Sequence, residues 1–326
     1  MVKKFIIGMV FSIIGLYVAF RQIDLAELGG ALAQARWLWI LVALFLMVFS
    51  VWVRALRWQI LLLPMSRVHV SAAFSSTMIG YFGNSVLPLR LGEFMRAYAI
   101  REKEASLTVA SAFGTIVVER LLDMTGTLIL VILFFSLYEV PRWLANGGIL
   151  LGVIVLGSFA VLWWISSTHE EWLERIEKMA LLQQGFGLKV KHLLHSFSHG
   201  LVSLRQTKHF LSLAFYSMSL WLIYFTISWL SAHALDIDIT WVEVGVILVS
   251  ITMVIMIPSA PGFIGTYHAA AVLVMVELFG KGESVSQAFA IINHGIGFVP
   301  LVVIGFFCLI RSSVTLKEVK PIEIEP

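Results

Sequence analysis

Residues 71–96 read SAAFSSTMIGYFGNSVLPLRLGEFMR. The stretch is apolar enough to enter a bilayer, yet Gly80, Gly83, Asn84 and Ser85 loosen it and Pro88 stops it. Arg54, Arg57 and Arg67 precede it, and Arg90, Arg96, Arg101 and Lys103 lie at or beyond its end. Basic residues gather on the cytoplasmic side of a membrane protein. A segment with two cytoplasmic flanks cannot make one full crossing, so the pattern predicts a re-entrant hairpin over Ser71–Leu87. Broken backbone is tolerated at membrane depth where it is buried in protein or lines a cavity.

The surrounding sequence sets the same class. Apolar residues make up 59% of 326 and charged residues 13%, about half the charged share of a soluble domain. The apolar residues come in blocks near or above the roughly 18 residues that a membrane-crossing helix needs. Lys3 and Lys4 precede a run from Phe5 to Phe20 that lacks a small-x-small cleavage pattern, so a retained first helix is expected with its N-terminus in the cytoplasm. Further crossings are expected at Trp37 to about Leu63, Leu107–Tyr138, Ile149–Ile165, Phe210–Ala232 and Ala288–Ile310. Between Ile149–Ile165 and Phe210–Ala232 lies 166–209, polar and basic, with Leu193, Phe197, Leu201 and Leu204 on one helical face. It reads as a cytoplasmic, surface-lying amphipathic insertion in a single membrane domain, 1–310. Lys317 and Lys320 place the polar tail, 311–326, on the same side.

A second interruption stands at Pro258-Ser259-Ala260-Pro261-Gly262, between Val244–Ile257 and Phe263–Phe279. Both interruptions place Gly four residues after Pro: Pro88 with Gly92, and Pro258 with Gly262. Paired interrupted segments in the two halves of a membrane protein point to an inverted repeat with a site at its centre. The expected fold is therefore an all-α polytopic membrane protein with about six full crossings and two broken re-entrant hairpins. Its alternative is about eight ordinary transmembrane helices with loops at the prolines.

Three constellations carry chemistry. The first is Asn84 through Arg96: Arg90 and Arg96 offer guanidinium forks suited to phosphate or carboxylate, and Glu93 is three residues from each. The second is Glu119-Arg120-Leu121-Leu122-Asp123 inside an apolar helix, where Glu119 and Asp123 share a face and Arg120 can reach Asp123. This group reads either as ligand-binding or as an ion-pair staple. Across both motifs three arginines face three carboxylates. The third runs from Pro258 through Pro261, Gly262 and Gly265 to His268, with Asn293 and His294 in the last helix. His268 and His294 are candidates for headgroup or proton handling, or are structural.

Other classes are weakly supported. The net charge of +3 is too small to argue for nucleic acid. The single cysteine, Cys308, excludes an internal disulfide, and no cofactor or metal is expected. His192, His195 and His199 have a spacing that can hold zinc, but a solvated helix face explains them as well. No G-x-x-x-x-G-K-[ST] phosphate loop is present, so nucleotide-driven transport is not expected.

At Asn84, Leu87-Pro88, Arg90, Gly92-Glu93 and Arg96, then Glu119-Arg120 with Asp123, then Pro258, Pro261-Gly262 and Gly265, the chain resembles the flippase-like membrane domain of lysylphosphatidylglycerol synthases. The domain also occurs alone in uncharacterised bacterial and archaeal proteins. The resemblance implies handling of polar lipids and carries over Asn84, Arg90, Glu93, Arg96, Glu119, Arg120 and Asp123 as substrate-binding positions. It departs where the family often has Glu and this chain has His268, and no soluble aminoacyl-transferring domain is expected. The implied activity is a lipid flippase or transporter for an anionic amphiphile, a phospholipid or a polyprenyl-phosphate-linked sugar, in the cytoplasmic membrane. The alternatives are a lipid-phosphate transferase using Glu93, Glu119 or Asp123, and a non-catalytic partner of a lipid-modifying enzyme.

Overall fold

A computed structural model describes residues 25–87, 90–167, 208–257 and 261–312. The expected first helix, the bulk of the 166–209 insertion with its histidines, Pro88, Pro258 and the tail from residue 313 lie outside the described residues. Among the described residues the chain is helical, with no strand. In chain order the helices are α1 (Leu25–Ala33), α2 (Trp37–Leu62), α3 (Val70–Val86), α4 (Gly92–Lys103), α5 (Val109–Leu137), α6 (Arg142–Ser167), α7 (Phe210–Ala234), α8 (Trp241–Met256), α9 (Thr266–Leu273) and α10 (Glu283–Ile310). A π-helical stretch, Val274–Leu278, extends α9.

Five helical stretches among the described residues are long and apolar enough to cross a membrane: α2, α6 (as Arg142–Val161), α7, Pro261–Leu278 and α10. α5 is longer than any of them, at 29 residues, and carries Glu119, Arg120 and Asp123 inward. The outer surface suits hydrocarbon: Leu211, Phe215, Met218 and Leu222 form an exposed apolar stripe down α7. In water such a stripe would be a liability; in lipid it is the expected solvent-facing side.

The two expected hairpins are present. In the first, α3 and α4 pack along one another and return to the end they left. Lys103 near the end of α4 donates to Ser75 near the start of α3, and Ser106 donates to Ser66 at 2.9 Å. In the second, α8 enters from the opposite end and α9 returns there. Lys281 donates to the Asp238 carbonyl, and the Tyr138 hydroxyl donates to the Leu278 carbonyl at 2.9 Å. α3 has 17 residues, α4 has 12 and α8 has 16. At 1.5 Å per residue they reach about 26, 18 and 24 Å, all short of a hydrocarbon core of about 30 Å. Pro261–Leu278 meets the length criterion for a crossing, yet it bends at Gly262 and Gly265 and ends on the face where α8 began.

Crossing, hairpin, crossing is thus built twice, as α2–α3/α4–α5 and as α7–α8/α9–α10, in opposite senses. The packing partners follow a pseudo-twofold. α2 lies against α7; α3 packs on α10 as α8 packs on α5; α4 packs on α5 as α9 packs on α10; α2 touches α10 as α7 touches α5. Close backbone approach holds the first hairpin shut. A Cβ at Gly92 would lie 2.0 Å from the Gly80 carbonyl oxygen and 2.4 Å from the Asn84 nitrogen, distances that no side chain can occupy.

Candidate functional site

The two hairpin tips meet in the interior. Arg90, just before α4, donates to the Ile255 carbonyl at the end of α8. Its guanidinium also lies 5.3 Å from the centre of the Phe263 ring, just beyond the second break. Arg90 and Phe263 both have left-handed backbone, with φ of 56° and 57°. Non-glycine residues in that region are uncommon and cluster at functional sites. Gly262, at φ 66°, takes the same region without a Cβ penalty, and a Cβ there would meet Phe298 at 2.5 Å.

Behind the tips lies an ion-pair network. Glu119, fully buried on α5, accepts from Arg54 at 2.7 Å and from both terminal nitrogens of Arg96 at 2.9 and 2.8 Å. Asp123, one turn on, accepts from Arg57 at 2.6 Å, Arg54 at 2.9 Å and Arg120 at 3.3 Å. Arg120 also pairs with Glu93 on α4 at 3.0 Å. Arg54 donates to the Tyr224 hydroxyl at 3.2 Å, and Arg57 to Ser217 at 3.1 Å, tying α2 to α7. Arg96 stacks over Trp58, 3.9 Å from its ring centre. Buried charges persist when paired and hydrogen-bonded, as these are.

The structure changes the expected pairing in two ways. Glu93 joins neither Arg90 nor Arg96. Arg90 precedes α4 in left-handed backbone, and Arg96 is drawn to Glu119, so Glu93 meets Arg120 instead. The balance of three arginines against three carboxylates also fails. Arg54 and Arg57, read as cytoplasmic topology markers, are buried within the network, with Arg57 fully inaccessible. Among the described residues the interior therefore holds five guanidiniums, those of Arg54, Arg57, Arg90, Arg96 and Arg120, against the carboxylates of Glu93, Glu119 and Asp123. Both added arginines sit in the last three turns of α2, where a long cationic side chain would equally well reach the interface. Nothing in the sequence alone separates the two placements.

A cavity of about 440 Å³ opens against this network. On its charged side stand Arg54, Asn84, Arg90, Glu93, Arg120 and Asp123, with Ser85 and Tyr81. The opposing wall comes from the second half: Tyr224, Ser228, Thr252, Tyr267, Asn293 and His294, with Gly262 at the tip. Met47, Met124, Trp221, Ile251, Phe263, Phe298 and Leu301 give it an apolar lining. Arg96 and Glu119 do not reach the cavity; they support the residues that do. His268 also lies behind the wall, its ring 4.9 Å from that of His294. His294 stacks on Tyr267 at 4.7 Å and bonds the Gly262 carbonyl at 2.9 Å. Ser231 donates to the Asn293 carbonyl oxygen at 2.9 Å, and the Asn293 amide donates to the Tyr267 hydroxyl at 2.7 Å. Pro261 opens the short turn that carries Gly262, and Gly265, at φ 95°, starts α9.

Fold and site together define a polytopic helical membrane domain that sequesters its charged residues between two opposed hairpins. The chain belongs to the lysylphosphatidylglycerol synthase TM region family, which it matches over residues 5–305. It is also similar to a UPF0104 membrane protein of Methanothermobacter thermautotrophicus. The two are 25% identical over an alignment covering 97% of this chain and 98% of the relative. No solved structure matches the chain.

Proposed function

We propose that this protein moves an anionic amphiphile between the leaflets of the cytoplasmic membrane. The observation that carries the reading is the cavity. It joins a guanidinium-rich wall to an apolar lining, and two hairpin tips close over it from opposite ends. Such a site suits a lipid headgroup that carries phosphate, with a phospholipid or a polyprenyl-phosphate-linked sugar as candidates. Membership in a family named for a lipid synthase's membrane region is consistent with lipid handling. The end that carries Arg67, Arg101, Lys103, Lys208 and Arg311 is assigned to the cytoplasm by its basic character. The other end bears Glu139, Asp236, Asp238, Glu243 and Glu283.

Two of the three carboxylates that a lipid-phosphate transferase could use are fully engaged, which favours transport; the third, Glu93, pairs among the described residues with Arg120 alone. Glu119 and Asp123 are each held by several guanidiniums, and a general base needs a carboxylate that can accept a proton near working pH. A separate lipid-modifying enzyme would then supply or consume the cargo.

Reconstitution into liposomes tests the reading. With fluorescent phospholipids in one leaflet, proteoliposomes should equilibrate the label between leaflets faster than protein-free liposomes, with the lipid chemically unchanged. A new lipid product would indicate a transferase. Neither movement nor product would leave a role as partner.

A further inference from the structure

The charge count of the cavity and the ion-pair network behind it points to a narrower ligand class, an inference that rests on the transport reading above. Three arginines are matched one to one: Arg57 with Asp123 at 2.6 Å, Arg96 with Glu119 at 2.8 Å, and Arg120 with Glu93 at 3.0 Å. Two remain. Arg54 shares carboxylates already matched, and Arg90 reaches only a backbone carbonyl and an aromatic face among the described residues. Both line the cavity; the Nε–H of each lacks a hydrogen-bond acceptor among the described residues, as do those of the three matched arginines. The facing wall supplies Tyr267, Asn293 and His294, none of which brings a fixed negative charge. A buried cation without a counter-charge is unfavourable in a low-dielectric interior. The compensating charge must come from the ligand, and two surplus guanidiniums call for two negative charges on a single compact group.

We infer that the cavity selects lipids whose phosphate group is a dianion, a phosphomonoester or a diphosphate, over phosphodiester lipids with one negative charge. Phosphate oxygens accept from guanidinium forks in charge-assisted bonds, and a phosphomonoester approaches two negative charges above a second pKa near 6. A diphosphate diester carries two charges at lower pH as well. The same chemistry can therefore come from two sources, and pH distinguishes them.

The test is displacement of fluorescent phosphatidic acid from the purified full chain in detergent micelles. The competitors are unlabelled phosphatidic acid, a polyprenyl diphosphate sugar and phosphatidylglycerol. The dianionic lipids should compete about tenfold or more better than phosphatidylglycerol. Phosphatidic acid should gain affinity between about pH 5 and pH 8, and the diphosphate lipid should not. Phosphatidylglycerol, a monoanion throughout, reports any titration of Glu93, Asp123 or His294 in the same cavity. Arg90→Gln removes one surplus charge and should shrink the preference; Glu93→Gln adds one and should enlarge it. Size-exclusion profiles check that both variants fold, and the opposite signs protect the test against failure of either one. Equal competition by phosphatidylglycerol, or a preference that ignores both substitutions, overturns the charge inference. Transport of phosphatidylglycerol in liposomes would then still stand. If no lipid of any class binds or moves, the transport reading falls as well.

Discussion

The first half of the bundle, Trp37–Leu137, brings five arginines and three carboxylates into the interior. The second half, Phe210–Ile310, faces the same cavity with Tyr224, Tyr267, Asn293 and His294, and its described residues contribute no Asp, Glu, Lys or Arg to the lining. Both halves nevertheless build crossing, hairpin, crossing with corresponding packing partners. The shared architecture therefore does not require ion pairs in both halves. It arises from features common to both halves: two helical arms that turn back on themselves, Pro and Gly at the break, and a glycine in close contact at each tip. The charges are an addition to one copy of that frame.

The comparison predicts unequal sensitivity, and Glu119 is the place to break it. Glu119→Gln keeps the shape but leaves Arg54 and Arg96 without their shared counter-charge. Truncating one partner of a buried pair costs about 3–5 kcal/mol, so thermal unfolding in detergent should show a large loss of stability or no folded protein at all. A mild effect would mean that the first half, too, is held by its backbone alone. Gly92→Ala comes next. Its new Cβ would fall on the Gly80 carbonyl and the Asn84 nitrogen, and overpacking of this kind costs roughly 1–3 kcal/mol. The matching change, Gly262→Ala, meets a movable Phe298 ring and a left-handed backbone costing about 1–2 kcal/mol, so it should destabilise less. Reversal of that order would show the second tip to be the tighter one.

A comparable effect on stability is expected from the neutral wall. Asn293→Leu leaves Ser231 and Tyr267 without their shared partner and should cost about 1–3 kcal/mol, again by thermal unfolding. Its effect on lipid movement in liposomes should exceed its effect on stability, because Asn293 lines the cavity. His268→Gln should change least: the ring stands behind His294, outside the cavity, and glutamine keeps hydrogen-bonding capacity. Loss of transport in His268→Gln with normal folding would move His268 into the working site.

Much of this frame is legible in the sequence because its cause is local. Runs of apolar residues, Pro88 with Gly92, and Pro258 with Gly262 mark arms and breaks without any knowledge of tertiary contacts. The structure starts α8 at Trp241, three residues before the expected Val244, on a capping box formed by Thr240 and Glu243. The site is less legible because its cause is long-range. Arg90 and Ile255 lie 165 residues apart, and Arg54 reaches Glu119 across 65. The rule that places arginines at the cytoplasmic end accounts for Arg54 and Arg57 well enough that the sequence raises no conflict. Only their burial shows that they belong to the cavity network. His268 and His294 look equivalent in sequence, yet His294 lines the cavity and His268 supports it.

An inverted pair of like backbones has, by geometry, a second arrangement in which each half takes up the other's shape. Were the side chains identical, the two arrangements would have the same energy, and the molecule would be indifferent to which leaflet its cavity served. Five guanidiniums on one side remove that indifference. Exchanging shapes would carry them into the environment now occupied by tyrosine, asparagine and histidine, so the two arrangements become a high and a low state. On the transport reading, the asymmetry of charge would give a symmetric frame a resting orientation.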